Sequence, residues 1–470
     1  MIYQKSIFIL NLFFIIINEI YSSYLIFPFK TRITKIENSE NNITLLFRSL
    51  QDNNIYINMD VGKPRQTIEF FLRSDSEIIY ISEKNKTDLN PSYNNPIIYD
   101  VNSDINKFFD KNKSTTLNIS SQSLSVFNDI GKYSDDIMYF KTNKNQIELR
   151  TSFGLLKSTR GNMPGVIGLK LLKYEQYRPY NLLAQLKSID AINSYYWMID
   201  YTSDYEGNLI IGEQPHIFDP QRFKEENLIN AYTFVYRTIT EWGLRFDDIT
   251  FQNSNFRPFL ECLFKYDLNF IYGIDNFEKE LDKYFNESII NGTCFKEKVK
   301  YPYSPHTFFY CNKEKYKDKV RDFPPLIFEH KELNYTFELN YKDLFIEKYD
   351  KLILLVFFDD YGLDWKLGKP FLRKYSFLMN PDSKAVGFYG KNNLDYKYNK
   401  DDTDSFEVKK ILKIVFIIIA VAILLILGIF IGKYYFKERK KRINAIDDDY
   451  EYKTDNDDKF ISKIEAENIN

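Results

Sequence analysis

The sequence of 470 residues has few cysteines, few histidines and almost no net charge. Three cysteines are too few for a small fold built on disulfides and too scattered for a zinc site. The histidines, His216, His306 and His330, lack the spacing of metal ligands, so we expect neither a metal nor a cofactor. A formal charge of −2 gives no indication of nucleic-acid binding. The chain is long enough to bury a sizeable core.

The first of two long apolar runs lies at the N-terminus. Residues 7–20 are almost entirely apolar, follow Lys5 and precede Tyr21-Ser22-Ser23. A basic start, a short apolar run and small residues at its end predict a signal peptide, cleaved near Ser22 or Ser23. An uncleaved membrane anchor is the alternative interpretation.

The second apolar run, residues 414–432, contains no charged residue. At about 1.5 Å per residue a helix of this length covers roughly the hydrocarbon thickness of a bilayer. The run is apolar on all faces and is followed by KERKKR at 437–442, which is typical of a cytoplasmic flank and not of a buried helix in a soluble protein. We therefore predict a single-pass type I membrane protein whose bulk is luminal or extracellular, at the cell surface or in an endomembrane.

Seven Asn-x-Ser/Thr triplets precede the predicted membrane span, and none follows it. This distribution is consistent with glycosylation on the luminal side, although that side is also most of the chain. The candidate asparagines are Asn42, Asn85, Asn112, Asn118, Asn286, Asn291 and Asn334.

Between the two apolar runs the pattern is that of short strands separated by Asn, Asp, Gly, Lys and Pro. One helix is indicated at Asp275 to Tyr284, where apolar residues are spaced by four and three. We therefore predict a mainly β protein of about two domain lengths, followed by an acidic, disordered tail. The predicted strands include residues 55–59, 67–72, 78–81 and 352–358.

Residues 54–81 read NIYINMDVGKPRQTIEFFLRSDSEIIYI. The order of a strand, the Gly-x-Pro-x-Gln of Gly62, Pro64 and Gln66, and a second strand resembles the opening of pepsin-like aspartic proteases. Other segments resemble later parts of that family in the same order along the chain. They are Phe109–Thr116, Gly165–Leu169, Asn193–Gly212, Trp242–Ile249, Leu367–Arg373 and Val386–Phe388.

This resemblance implies a bilobal, mainly β pepsin-like acid protease fold, to which the apolar run at 414–432 adds a C-terminal transmembrane helix. A long cleft between the lobes would take an extended peptide or protein ligand. In the family each lobe supplies one aspartate to the cleft floor. The two carboxylates share a proton and together activate the water that attacks the peptide bond.

The sequence departs from the family at both catalytic positions. The register places the first aspartate at Arg73, seven residues after Gln66, and the second at Lys265. Neither side chain serves as a carboxylate, because Arg stays charged and Lys needs a large pKa depression even to act as a base. The tyrosine of the family's flap matches Phe127, which lacks the hydroxyl. We therefore predict a pseudoprotease with no catalytic residues.

An aspartate lies two residues after each basic residue, Asp75 after Arg73 and Asp267 after Lys265. In one interpretation these aspartates neutralise a buried Arg/Lys pair, since unpaired buried charges are costly. In a second interpretation they form a displaced dyad, and in a third both loops open to solvent. We favour the first, because a displaced dyad needs rebuilt loops and the glycine that permits each tight turn is missing.

The resemblance also assigns Cys294 and Cys311 to the family's second-lobe disulfide. Cys262 then remains, in the strand that leads to Lys265, and we favour a buried structural thiol over a reactive one. The segment from Tyr24 to Arg48 resembles the start of the family's propeptide. Without self-cleavage we expect it to stay attached as an edge strand.

Three functions remain open at this point. They are a non-catalytic binding protein, an active aspartic endopeptidase that uses Asp75 and Asp267, and a structural surface glycoprotein. The predicted segments are a signal peptide at 1–23, a propeptide-like strand segment at 24–49, lobes at 50–225 and 226–395, a linker at 396–413, the membrane helix at 414–432 and a cytoplasmic tail at 433–470.

Overall fold

The structure is a computed structural model. It describes residues 24–32, 42–51, 54–83, 108–126, 129–141, 146–157, 163–232, 241–258, 262–300, 304–360, 362 and 364–390. The predicted signal peptide, membrane span and tail lie outside these ranges, as do Phe127 and Asn85. Within these ranges, no helix combines the length and the apolar character that a membrane crossing needs.

The described residues are predominantly β, as the strand pattern predicts. The strands in chain order are β1 Leu25–Thr31, β2 Ile55–Val61, β3 Gln66–Arg73, β4 Tyr80–Ser82, β5 Asn118–Val126, β6 Asp129–Lys141, β7 Gln146–Leu156, β8 Gly165–Gly168, β9 Trp197–Tyr201, β10 Glu206–Ile211, β11 Leu228–Tyr232, β12 Gly243–Leu244, β13 Asp248–Phe251, β14 Ser254–Phe256, β15 Cys262–Phe264, β16 Ile271–Tyr272, β17 Cys294–Lys300, β18 Pro305–Asn312, β19 Leu326–His330, β20 Tyr335–Leu339, β21 Phe345–Lys348, β22 Lys351–Asp359, β23 Lys366–Leu367, β24 Leu378–Asn380 and β25 Ala385–Tyr389.

These strands form three sheets. The largest has 13 strands in the order β11-β25-β24-β9-β10-β1-β2-β3-β8-β4-β7-β6-β5. The second has eight strands, in the order β12-β15-β23-β16-β22-β18-β17 with β21 paired to β22, and the third is β14-β13-β19-β20. Residues 61–81 therefore belong to the first sheet, whereas the strands of residues 246–273 belong to the other two.

The strands are of two kinds, which differ in whether one or both faces are buried. In β1, Leu25, Phe27, Phe29 and Thr31 are buried and the residues between them are more exposed, as expected when one face of a strand meets the core. Strand β22 is instead buried at every position from Leu352 to Phe358, because elements cover both of its faces. A continuous hydrophobic sequence such as that of β22 is expected for a strand with both faces buried.

A unit of four strands occurs twice in the chain. In the first unit β3 is parallel to β8, β8 is antiparallel to β4, and β4 is parallel to β7. In the second, β15, β23, β16 and β22 repeat the same order and the same directions. Arg73 is the last residue of β3, and Lys265 directly follows the last residue of β15. The two basic residues therefore occupy equivalent places in the duplicated unit.

In each copy of this unit a glycine lies at the end of the last strand in chain order, or directly after it. Gly168 ends β8 opposite Arg73, and Gly368 directly follows β23. A Cβ atom at Gly168 would overlap the carbonyl of Ser76, and one at Gly368 would overlap the carbonyls of Leu268 and Phe270. The turn after each basic residue is thus held tightly against a neighbouring strand end.

The propeptide-like segment is an integral part of the described fold. Strand β1 pairs with β10 on one side and with β2 on the other, so the expectation of an edge strand is wrong. The first helix buries residues 46–50, and Leu46, Phe47 and Leu50 of these pack against the second sheet. The helices are α1 Ile43–Gln51, α2 Leu182–Ser188, α3 Pro215–Phe218, α4 Asp275–Ile290, α5 Lys313–Tyr316, α6 Tyr341–Leu344 and α7 Lys369–Tyr375, with 3₁₀ turns at Glu175–Tyr180, Glu225–Asn227 and Lys319–Asp322.

Candidate functional site

The candidate site is built on the ends of β3 and β15. The backbone N–H of Lys265 donates to the carbonyl of Leu367 at 2.9 Å, and the carbonyl of Arg73 accepts from the N–H of Leu169 at 2.9 Å. Each basic residue is therefore anchored through its backbone to the partner strand or to the residue that follows that strand. This anchoring fixes the position from which each side chain extends.

Arg73 binds two carboxylates. Its Nε and Nη2 atoms donate to the two oxygens of Asp75 at 3.0 and 2.6 Å, which is the bidentate arrangement that suits a guanidinium and a carboxylate. Its Nη1 atom lies 3.3 Å from Oδ2 of Asp267. The guanidinium thus joins the turn of the first unit to the turn of the second.

Ser74 provides a second connection between the two turns. Its hydroxyl donates to Oδ1 of Asp267 at 2.7 Å, so both oxygens of that carboxylate are engaged by the first turn. Ser74 is buried, and only 11% of the Asp267 side chain is exposed. A hydrogen bond to a carboxylate in such a position contributes about 1.5–3 kcal/mol.

Lys265 has a different anionic partner from the one its position in the sequence suggests. We expect Asp75 or Asp267 as its nearest candidate, but its ammonium donates to Oε2 of Glu241 at 2.5 Å. Arg73 and Ser74 contact the two oxygens of Asp267, and Arg73 contacts both oxygens of Asp75. Glu241 is therefore a site residue that the sequence does not reveal.

Glu241 is held in place by the tryptophan that follows it. Trp242 is buried, and its indole N–H donates to the carbonyl of Leu169 at 2.8 Å. The carbonyl of Trp242 accepts from the N–H of Phe264, the residue before Lys265, at 2.7 Å. These bonds position Glu241 beside Lys265, although 24 residues separate the two in sequence.

We call the six residues Arg73, Ser74, Asp75, Glu241, Lys265 and Asp267 the Arg73 cluster. It contains two cations and three carboxylates, which gives a formal charge of −1. The exposed fractions of the charged side chains lie between 11% and 28%. The cluster is thus mostly removed from water, and its charges neutralise one another almost completely.

The electrostatics of the cluster favour the ionised forms of its central pair. Burial alone would lower the pKa of Arg73, but the charge of Asp267 and the hydrogen bonds to Asp75 raise it above its usual value. Burial would likewise raise the pKa of Asp75, yet hydrogen bonding to Arg73 and the charges of Arg73 and Lys265 lower it. A proton on Asp75 is therefore disfavoured.

An aromatic layer borders the second turn. Tyr266, between Lys265 and Asp267 in the chain, is buried, and its ring meets that of Trp197 edge to face with centroids 5.2 Å apart. Its hydroxyl has no hydrogen-bond partner among the described residues. Burial raises the pKa of Tyr266 well above its usual value, so the residue stays neutral.

The remaining candidate residues are separate from the cluster. Cys294 and Cys311 form a disulfide, as the resemblance implies. Cys262 is buried and is not part of that disulfide. Phe127 and Asn85 lie outside the described residues, so the flap position and that triplet stay predictions. The other six candidate asparagines, Asn42, Asn112, Asn118, Asn286, Asn291 and Asn334, are exposed.

The arrangement is chemically different from a proton-sharing dyad. Both aspartates of the cluster bind a guanidinium that does not release its proton at physiological pH. Within the described ranges, no group of three or more His, Cys, Asp or Glu side chains is arranged to hold a metal ion. The chemistry that the described cluster offers is ion pairing and hydrogen bonding.

Comparisons with known proteins bear on the fold. No protein-family model matches the chain, and no curated protein matches it. Among solved structures, the chain is similar to conglutin gamma, a basic 7S globulin from lupine seeds, with a TM-score of 0.54 and 10% sequence identity. The similarity covers 79% of this chain and 96% of that chain. At this identity it shows that the two proteins share a fold.

Proposed function

We propose that the chain is a non-catalytic protein of the pepsin-like type, which binds an extended peptide or protein segment in a cleft between two β-rich lobes. The observation that carries the proposal is the engagement of both Asp75 and Asp267 by Arg73. An aspartic peptidase needs two carboxylates that share one proton. Arg73 lowers the pKa of Asp75 and pairs with Asp267, so the two carboxylates are held by a guanidinium and not by a shared proton.

The duplicated strand unit supports the pepsin-like part of the proposal. In each copy the first strand ends at or just before the position where the family register expects a catalytic aspartate, and in each copy that position holds a cation. The contact between Ser74 and Asp267 joins the two copies at this point. A cleft floor in the family has the same construction from two equivalent turns, with carboxylates in place of the cations.

Partial exposure of the cluster supports a role in binding. About a quarter of the Arg73 side chain and of the Asp75 side chain remains open to solvent, at 24% and 28%. An extended ligand above the cluster would meet hydrogen-bonding groups that are already fixed in position, which reduces the entropy lost on binding. Hydrolysis would need a freely titrating carboxylate pair instead.

The proposal is tested with the full-length chain, purified in mild detergent, and a mixture of random decapeptides. We expect some peptides to be retained and recovered intact. Hydrogen exchange should slow in the segments around Ser74 and Tyr266 when those peptides are bound. Cleaved peptides would establish the active endopeptidase instead. Failure to retain any peptide would leave the structural glycoprotein as the better account.

We also propose that the chain is a type I membrane glycoprotein anchored by residues 414–432. The exposure of all six described candidate asparagines supports this, because an oligosaccharide needs an accessible acceptor. Expression in a secretory system followed by endoglycosidase treatment should lower the apparent mass. An unchanged mass, or protease digestion of the 24–390 region from the cytoplasmic side of intact vesicles, would contradict the topology.

A further inference from the structure

A pocket of about 470 Å³ lies apart from the Arg73 cluster, none of whose six residues lines it. It is formed by the turn between β9 and β10, by the region of Arg222, and by the end of α7. Its volume falls in the range that small-molecule sites occupy. Its wall combines aromatic rings with three cations: Arg222, Arg373 and Lys374.

Two of these cations have buried anionic partners. Arg222 donates to both oxygens of Asp200, at 2.5 and 2.6 Å, and that carboxylate is 5% exposed. Lys374 donates to Asp343 at 2.7 Å, and both side chains are largely buried. These two pairs form a fixed, neutralised part of the wall.

Arg373 has a more accessible partner. Its Nη1 atom pairs with Asp204, which lies on the turn between β9 and β10 and has a side chain that is 53% exposed. The ammonium of Lys369 donates to the backbone carbonyl of the same residue. The Asp204 carboxylate can therefore leave Arg373 for water at little cost, whereas the arginine stays at the pocket wall.

Tyr201 also lines the pocket, and it is 8% exposed. Its hydroxyl is buried away from solvent and makes no hydrogen bond to any residue that the structure describes. A ligand in the pocket would therefore contact other atoms of this side chain and not the hydroxyl.

The charges near the turn indicate which sign of ligand is favoured. Burial lowers the pKa of Lys369 to about 8, and burial also lowers the pKa of Arg373. An anion beside these groups would stabilise their charged forms. The aromatic side chains of Phe223 and Tyr375, which also line the pocket, are suited to contact a planar group.

We propose that this pocket binds a small organic anion, consisting of one oxyanion group on a body about the size of an aromatic ring. Arg373 pairs with the oxyanion after Asp204 has moved out to solvent. Carboxylates and phosphates share the required chemistry. This inference does not depend on the proposed function of the Arg73 cluster.

The test is calorimetric titration of the full-length chain with phenyl phosphate and, separately, with benzoate, with neutral phenol as the control ligand. We expect at least one anion to bind and phenol to bind at least tenfold more weakly. Binding by phenyl phosphate alone assigns a phosphate site, and binding by benzoate assigns a site that accepts carboxylates. Absence of binding by both anions, or equal binding of phenol, would overturn the proposal.

Variants then locate the binding. Asp204→Asn removes the competing carboxylate and should tighten binding of the anion severalfold, whereas Glu206→Gln, the same charge change on the same hairpin but outside the pocket, should not. Arg373→Gln should weaken binding about tenfold. If that variant does not fold, the comparison of Asp204→Asn with Glu206→Gln still tests the assignment. Equal affinities of these two variants, or full affinity in a folded Arg373→Gln variant, would contradict the assignment.

Discussion

Replacement of Arg73 by methionine is the perturbation that the ionic cluster predicts in most detail. Methionine retains much of the side-chain volume but removes two hydrogen bonds to Asp75, at 3.0 and 2.6 Å, and the ion pair with Asp267 at 3.3 Å. The two carboxylates would remain in place with 28% and 11% of their side chains exposed. Removal of one partner from such a buried network costs about 3 kcal/mol.

The predicted loss depends on pH, with a sign that follows from Asp75. Arg73 lowers the pKa of this carboxyl, against the effect of burial, so the interaction stabilises the fold above the ordinary aspartate pKa of about 4. The contribution disappears as pH falls through the lowered value in the folded protein. The stability difference between wild type and Arg73→Met should therefore be largest near pH 7 and shrink below about pH 4.

The assay is the thermal or urea midpoint of the full-length chain at pH 7 and at pH 3.5. A matched control is Arg178→Met, which removes a surface pair with Glu175 whose side chains are 50% and 78% exposed. That change should alter the free energy of unfolding by less than about 1 kcal/mol. Equal effects of the two variants at pH 7 would argue against a buried ionic cluster and would favour turns that are open to solvent.

Two further predictions concern the scaffold around the site. The Cys294–Cys311 disulfide joins residues 17 apart, so its removal by serine substitution should lower the free energy of unfolding by about 3 kcal/mol. Urea unfolding measures this loss, and a loss of less than about 1 kcal/mol would argue against a structural role for the disulfide. Phe47 of α1 is fully buried against Phe270 and Phe357, so Phe47→Ala should cost about 3–5 kcal/mol; an unchanged midpoint would mean that α1 is not part of the core.

Local sequence patterns predict several elements close to their observed bounds. The strands predicted at 67–72 and 352–358 become β3 and β22, each one residue longer at both ends. The helix predicted at Asp275 to Tyr284 begins at Asp275 but continues to Ile290, because Phe277, Leu281 and Phe285 form its buried face. These elements depend on contacts within a few residues along the chain, which hydrophobic periodicity records.

The run at residues 78–81 is predicted less well. Its strand begins only at Tyr80, because the side chain of Ser76 bonds to the backbone N–H and carbonyl of Ile78 and holds this part in a turn. A side chain that competes for backbone groups interrupts a strand without altering its hydrophobic pattern. The sequence pattern therefore overestimates the strand at its start.

Long-range partners were the part of the site that could not be predicted. The positions of Arg73 and Asp75 follow from a short motif, and their contact spans only two residues. Glu241 binds Lys265 because the neighbouring Trp242 is fixed in place by a hydrogen bond from its indole N–H to the carbonyl of Leu169, 73 residues earlier in the chain. No local sequence pattern indicates this contact. The interior position of β1 likewise depends on β10, whose pairing register links Leu25 to Ile211.

Arg73 holds Asp75 and Asp267 as ion-pair partners and not as a proton-sharing dyad, and a peptide-cleavage assay distinguishes these two arrangements. The purified full-length chain is incubated with a quenched-fluorescent peptide library from pH 2 to pH 7, with and without pepstatin, beside Asp75→Asn and Asp267→Asn. We predict no cleavage above background at any pH in all three proteins. Cleavage by the wild type that pepstatin blocks and either substitution abolishes would instead establish a displaced catalytic dyad.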